Sequence, residues 1–193
     1  LIKNINMGLK EKILKNREKF EKTNKVHNIL NEELLKFLGE DLYTAPASNM
    51  ESMYNAYPGG LIDHILKVTK YTLFLNDSLP ENIRLTKESI IKVCFIHQIG
   101  KVKLFKFCES EWHRKNTGKI YDFNEDLVSM RIGERSAYYS LSYGVKLTEE
   151  EYQSIINFDK SDDDKQSKWY GSILSTLLRQ ANELSIIECK NNK

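Results

Sequence analysis

Cysteine is scarce in this sequence, whose 193 residues contain only Cys94, Cys108 and Cys189. Because their number is odd and their spacing fits no metal-binding pattern, we predict neither a disulfide framework nor a zinc knuckle. Long apolar runs are also lacking, since no stretch approaches the roughly 18 consecutive residues that span a bilayer. The first residues show no signal-peptide pattern. These absences favour a cytoplasmic protein with no membrane partner.

Net charge is small, and the common nucleotide-binding glycine motifs are missing. The 29 Lys and Arg residues are nearly balanced by 27 Asp and Glu residues, which leaves a net charge of +2. Because the lysines are spread among glutamates, attraction to a long polyanion is weak, and we predict no binding to extended duplex nucleic acid. The glycines fit neither a P-loop nor a dinucleotide-binding fingerprint, and no Ser-His-Asp nucleophile elbow is present.

What is present is an apolar pattern of helical period. We therefore predict an all-α fold in which an N-terminal helical extension at 1–40 precedes one domain at 41–188 and a tail at 189–193. Thr86 is a plausible N-cap, and Thr148 with Glu151 forms a capping box. The predicted helices lie within residues 3–38 (two helices), 61–75, 86–100, 127–144 and 148–157, with one more near the C-terminus.

Three segments interrupt or obscure this pattern. Residues 41–60 contain prolines and glycines without an apolar period, which predicts an ordered loop that packs over another part of the domain. Residues 101–126 alternate irregularly and predict a small hairpin or lid. The β-branched run at 90–96 leaves a strand as an alternative to the central helix.

The last helix is predicted to follow an acidic turn at residues 161–164. Its spacing of apolar residues predicts one continuous buried face. The members of this face are Trp169, Ile173, Leu174, Leu177, Leu178, Ala181 and Leu184.

Two histidines lie beside glycine-marked breaks, where backbone and ligand can approach closely. Residues 57–64 read Tyr-Pro-Gly-Gly-Leu-Ile-Asp-His, and residues 95–101 read Phe-Ile-His-Gln-Ile-Gly-Lys. In order and spacing these strings resemble the HD-domain phosphohydrolases, especially phage-encoded and exonuclease-associated members, and the resemblance extends over roughly the C-terminal three quarters of the chain. It implies an HD-like helical bundle in which His64 and His97 match metal ligands.

The sequence departs from the family pattern at the metal-binding carboxylates. Gln98 stands where the family has the Asp of its name, and Asn182 stands where the resemblance places the final Asp. Amide oxygens are neutral and weaker donors, so affinity for a divalent cation should fall by orders of magnitude. We therefore expect no cofactor, a vestigial metal site at His64 and His97, and no metal-activated water for hydrolysis.

The remaining groups suit an anion and a nucleobase, since Arg and Lys bind phosphate and aromatic faces stack on bases. Each also has a plain structural alternative: Arg135 could pair with Glu134 or Glu151, and Trp112 could plug the lid. The candidate ligand-binding residues are Tyr57, His64, His97, Gln98, Lys101, Trp112, Arg114, Arg135, Ser136, Asp159 and Asn182.

Three functions remain open at this stage. The first is a degenerate HD-fold protein that binds a nucleotide or nucleotide-derived signal without hydrolysing it, as a phage sponge against host immune signalling would do in the host cytoplasm. The second is an active phosphohydrolase that uses Mn, Fe, Ni or Mg, with substitute ligands among Asp63, Glu134, Asp159 and Glu183. The third is an interaction module that forms a homo-oligomer through the N-terminal helices.

Overall fold

Helices make up most of the computed structural model, which describes residues 7–159 and 171–191. Two short strands, β1 (Phe105–Phe107) and β2 (Tyr121–Phe123), pair antiparallel with Phe105 opposite Phe123. The all-α prediction is confirmed in its helical character, and the predicted hairpin is present. The helices are α1 (Met7–His27), α2 (Glu32–Leu38), α3 (Asp41–Thr44), α4 (Gly60–Asp77), α5 (Lys87–Ile96), α6 (Glu111–Thr117), α7 (Ile132–Ser142), α8 (Glu149–Asn157) and α9 (Ile173–Asn191).

Helices α4, α5 and α9 form the centre of the bundle, and α1 packs on α4. Phe20 of α1 is fully buried and stacks on Phe95 of α5, with 4.4 Å between ring centroids. The core therefore includes residues from the segment predicted as an N-terminal extension. Within the described ranges, no helix is both long enough and apolar enough to cross a membrane.

Local signals in the sequence fix several helix ends. The Thr86 side chain accepts a hydrogen bond from the Ser89 amide, and Thr148 and Glu151 form the predicted capping box. The run at 90–96 is helical, so the alternative of a strand is wrong.

Two glycines allow close backbone contacts around the predicted site. A Cβ atom at Gly60 would lie 2.0 Å from the Asn55 carbonyl oxygen, and one at Gly100 would lie 2.5 Å from that of Ile132. Any larger residue would push these segments apart. Close packing therefore requires glycine at both positions, whether or not these glycines also have a functional role.

Four details differ from the predictions, and the first is helix α3, which lies inside the segment at 41–60 that was predicted as a loop. Helix α7 begins at Ile132 rather than Leu127, and the Glu134 carboxylate accepts a hydrogen bond from the backbone amide of Arg131, the residue that precedes the helix. The short helix α6 between the two strands was not predicted. Helix α9 continues through residue 191, so it covers the first part of the predicted tail at 189–193.

The predicted buried face of α9 is correct at four of its six described positions. Leu174, Leu177, Leu178 and Ala181 are buried, but Ile173 and Leu184 are each 39% exposed. The buried positions further along the helix belong to polar residues that face α4. A prediction from hydrophobicity alone could not identify these buried polar positions. Trp169 and the turn at 161–164 lie outside the described residues.

Candidate functional site

A group of polar side chains is enclosed where α4, α9 and the end of α5 meet. We call it the polar cluster: His64, His97, Gln98, Asn182 and Ser185. His64, His97, Gln98 and Ser185 are fully buried, and Asn182 is nearly so. The cluster brings together four of the predicted site residues, and Ser185 is an addition that the sequence did not reveal.

Three atoms of the polar cluster form a nearly equilateral triangle. His64 Nε2 lies 2.9 Å from Asn182 Oδ1 and 3.0 Å from Gln98 Nε2. Gln98 Nε2 lies 3.0 Å from Asn182 Oδ1. The opposite ring nitrogen, His64 Nδ1, lies 3.1 Å from the Ser185 hydroxyl, which can donate to it or accept from it.

The triangle has a chemical cost. Each of its three atoms acts either as a donor or as an acceptor, so at least one of the three contacts pairs like with like. When His64 Nε2 donates to Asn182 Oδ1, it faces a second donor on Gln98; when it accepts from Gln98, it faces a second acceptor on Asn182. Incompletely matched buried polar groups destabilise a fold, which points to a role for this cluster other than stability.

Two buried acceptors of the cluster have no hydrogen-bond partner within the described residues. They are His97 Nε2 and Gln98 Oε1. The His97 Nδ1–H donates to the Cys94 carbonyl at 2.7 Å, which leaves a lone pair on Nε2. The cluster could therefore accept further hydrogen bonds from a donor that entered it.

The polar cluster does not fit a divalent cation. Its side chains are two imidazoles, two amides and one hydroxyl, and none is a carboxylate that could offset the charge of the ion. Among the described residues, no group of three or more His, Cys, Asp and Glu side chains is arranged to hold a metal. Because the donors of the polar cluster are all neutral, we derive no metal-dependent step from it.

Both histidines of the cluster are held neutral by burial. Burial lowers the pKa of His97 to about 3, and it lowers the pKa of His64 well below its usual value of 6.5. The nearby Lys101 charge acts in the same direction on both rings. At neutral pH neither imidazole carries a charge.

Tyr54 connects the polar cluster with an open cavity. Its ring lies 4.7 Å from the His64 ring, centroid to centroid, and burial raises its pKa to about 12. On the other side of the cluster, Phe158 packs edge-on against His97 at 4.9 Å. Neither His64 nor His97 lines the cavity.

The cavity, which we call the main cavity, has a volume of about 570 Å³. The hairpin, α7 and the loop before α4 supply its walls. This size lies within the usual range for small-molecule sites. The lining residues that concern the argument are Tyr54, Lys101, Phe105, Phe123, Arg135 and Asp159.

Arg135 is the most distinctive residue of the main cavity. It is buried, its Nη2 donates to the Val128 carbonyl at 2.5 Å, and its Nε has no partner within the described residues. The structural alternative of an ion pair with Glu134 or Glu151 is not observed. Glu134 caps α7, and Glu151 binds Lys92 and Ser89. A buried guanidinium with an unused donor is suited to an anion.

Lys101 is also buried, and its ammonium group is held by neutral atoms. It donates to the Ala47 carbonyl at 2.6 Å and to the Tyr54 hydroxyl at 2.9 Å. Burial lowers the pKa of Lys101 to about 7, and the negative charge of Asp159 partly opposes that shift. An anion in the cavity would favour the charged form of this lysine.

The other predicted site residues have structural roles. Ser136 lies in the second turn of α7, accepts from the Gly100 amide at 2.9 Å and lies 2.9 Å from the His97 carbonyl oxygen. Tyr57 donates to Asp63 at 2.5 Å, away from the main cavity. Arg114 donates to the Cys108 carbonyl and lies over the Phe107 ring, which fastens the lid.

Trp112 was predicted either to stack on a base or to plug the lid, and its exposure shows that it does not plug the lid. It lies on α6, is 64% exposed and lines neither the main cavity nor the polar cluster. The short helix α6 packs little of its surface on the domain, and none of its residues is buried.

The substitute ligands of the phosphohydrolase alternative are not gathered around the histidines. Asp63 is bound by Lys12, Asn16, Asn55 and Tyr57. Glu134 caps α7, and Glu183 is exposed. Asp159 is the one member that borders the main cavity.

Comparison with protein-family models, curated proteins and solved structures found no match to this chain. The functional argument therefore depends on the site itself.

Proposed function

We propose that the protein binds a nucleotide or nucleotide-derived signal in the main cavity and does not hydrolyse it. The observation that carries the proposal is the buried guanidinium of Arg135 with an unpartnered Nε, in one cavity with the buried amine of Lys101. Both groups favour a phosphate, and only Arg offers a planar fork of donors for it.

The aromatic side chains of the main cavity supply the second half of a nucleotide site. Phe105 and Phe123 line it, 5.4 Å apart between ring centroids, and Tyr54 lies on another wall. Nucleobases stack on such faces with little dependence on sequence. A ligand with an aromatic base and a phosphate is therefore favoured over a plain anion or an apolar molecule.

The polar cluster supports binding without hydrolysis. It has the position and histidines that the resemblance to HD-domain proteins assigns to metal ligation, but its two amides leave it neutral. Without a bound metal, the usual means of producing hydroxide at neutral pH is missing. The resemblance to phage-encoded members extends the proposal to a sponge that withholds a host immune nucleotide.

The test is to purify the protein without an affinity tag, denature it, and analyse released small molecules by mass spectrometry and metals by elemental mass spectrometry. We expect an intact nucleotide and less than one metal ion per ten chains, on the order of adventitious loading. About one metal per chain, or release of a hydrolysed product, would contradict the proposal and favour a phosphohydrolase.

Variants locate the site. Arg135→Gln should weaken binding of adenosine 5′-monophosphate by about 10- to 100-fold in isothermal titration calorimetry, because a charge-assisted hydrogen bond is lost. Arg84→Gln, which changes an exposed arginine outside the cavity, is the matched control and should bind as the wild type does. Equal affinities of the two variants would count against the proposed site.

A further inference from the structure

A second cavity lies beside the hairpin and shares part of its lining with the main cavity. We call it the hairpin cavity; its volume is about 740 Å³. It lies between β1 and the loop segments that contain Pro46 and Pro58. The residues of its lining that concern the argument are Lys101, Lys103, Phe105, Lys106, Phe107 and Tyr121.

The two cavities share part of their walls. Lys101, Phe105 and Asn124 line both of them. Phe105 is only partly buried, so its ring has surface that a ligand can contact. A ligand that passes over Phe105 and Asn124 would therefore occupy both cavities at once.

The hairpin cavity has a positive charge. Three lysines line it, and Asp41 is its one acidic lining residue. The Lys103 ammonium donates to the Phe37 carbonyl, which fixes its position at the edge of the cavity. Lys106 pairs with Asp126, but both side chains are more than half exposed, and such a pair is weak enough to exchange for a phosphate.

Aromatic groups and an unused hydroxyl complete the second site. Phe107 lines the hairpin cavity beside Tyr121, with 6.3 Å between ring centroids. The Tyr121 side chain is 4% exposed, and its hydroxyl has no hydrogen-bond partner within the described residues. The hairpin cavity thus repeats the combination of cations, aromatic rings and an unpartnered buried polar group found in the main cavity.

We propose that the two cavities form one site for two nucleotide units joined by a phosphodiester, with one base in each cavity and the linking phosphate at the shared wall beside Lys101. This inference rests on the proposed function and specifies the ligand as a dinucleotide. Each volume suits a single nucleotide unit, and linking two units makes the second binding event intramolecular.

The test compares adenosine 5′-monophosphate with the 5′-phosphorylated dinucleotide pApA by isothermal titration calorimetry on the full chain. The dinucleotide should bind one to one and about 100-fold or more tightly than the mononucleotide, because the two subsites act together. If the mononucleotide binds and the dinucleotide binds no more tightly, the two-unit site is wrong and the proposed function stands. If neither binds, both are wrong.

A matched pair of lysine variants tests the hairpin cavity directly. Lys106→Ala removes a lining residue, whereas Lys115→Ala removes a lysine of α6 that forms a similarly exposed ion pair with Glu111 and lines neither cavity. Lys106→Ala should weaken dinucleotide binding by about fivefold to tenfold and reduce its salt dependence, and Lys115→Ala should change neither. Equal effects of the two variants on the dinucleotide would overturn the inference.

Discussion

The polar cluster and the main cavity are neighbours of opposite character. The cluster is sealed and neutral, and four of its five side chains hydrogen-bond to one another: His64, Gln98, Asn182 and Ser185. The cavity is open, and it contains the charged Lys101, Arg135 and Asp159. One short segment supplies both regions, since Gln98 belongs to the cluster and Lys101, three residues later, lines the cavity.

The contrast shows that the two regions suit different ligands. In the cluster, neutral amides remove the charge that a divalent cation needs. In the cavity, cationic and aromatic side chains keep the means of holding a phosphate and a base. The proposed binding therefore depends on the residues of the main cavity and not on those of the polar cluster, and each set can be changed separately.

Placing two carboxylates in the polar cluster should change its character most strongly. Gln98→Asp combined with Asn182→Asp should raise affinity for Mn²⁺ by about 100-fold or more, because two carboxylates would then lie near the His64 ring. The measurement is Mn²⁺ per chain by elemental mass spectrometry after equilibrium dialysis. Thermal unfolding provides a second measurement, since Mn²⁺ should stabilise the double variant and not the wild type. A double variant that folds but takes up no more Mn²⁺ than the wild type would contradict this account of the cluster.

The second-largest effect should be a loss of stability in acid, which depends on the neutral histidines of the polar cluster. The folded-state pKa values of His64 and His97 lie below their unfolded value, so the unfolded chain takes up protons first as the pH falls. Above about pH 6.5 the two histidines do not lower the free energy of unfolding. Below that pH, each histidine should lower the free energy of unfolding by about 1.4 kcal/mol per pH unit. Urea denaturation between about pH 7 and about pH 5 measures the slope, which His97→Gln should roughly halve. A slope near zero would show that the rings are not held neutral.

Ser136→Ala should have an effect of intermediate size. Its hydroxyl satisfies the Gly100 amide and contacts the His97 carbonyl, so its removal leaves buried backbone groups unpaired at the turn between cluster and cavity. We expect a loss of about 1 to 3 kcal/mol in the free energy of unfolding by urea denaturation. Ser142→Ala, at an exposed position of the same helix, should change it by less than about 0.5 kcal/mol. Similar losses in both variants would contradict the role given to Ser136.

Trp112→Ala should have the smallest effect. Because Trp112 is largely exposed and lines neither cavity, stability should change by less than about 0.5 kcal/mol. The affinity of the Trp112→Ala variant for adenosine 5′-monophosphate, measured by calorimetry, should match that of the wild type. A tenfold loss of affinity would show that Trp112 contributes to ligand binding and would contradict this prediction.

Helix positions were the most predictable feature of the chain, because apolar period and capping residues act locally. Thr86 and the Thr148–Glu151 pair begin their helices as predicted. The meeting of His64, Gln98 and Asn182 could be anticipated only through the family resemblance, since these residues are far apart in sequence. The spacing of apolar residues predicts helices, but it does not predict which residues of different helices meet.

The remaining site features depend on tertiary packing. Nothing local marks Ser185 as a partner of His64, or Arg135 as a buried residue that lines a cavity. Trp112 was predicted to lie in the site because an aromatic face can stack on a base, or in the lid core because large aromatic side chains are usually well buried. The exposure of Trp112 follows from the short helix that presents it, and that helix was not predicted.

The contact between His64 and Asn182 also has a consequence for how the chain is made. The two residues are 118 positions apart, and α9 is the last helix of the described structure. At a synthesis rate of about 5 to 20 residues per second, α4 would emerge from the ribosome roughly 6 to 24 seconds before the helix that completes the cluster. A nascent chain therefore has to keep His64 and its apolar neighbours hydrated or chaperoned during that interval, and acquires its native centre only after α9 has emerged.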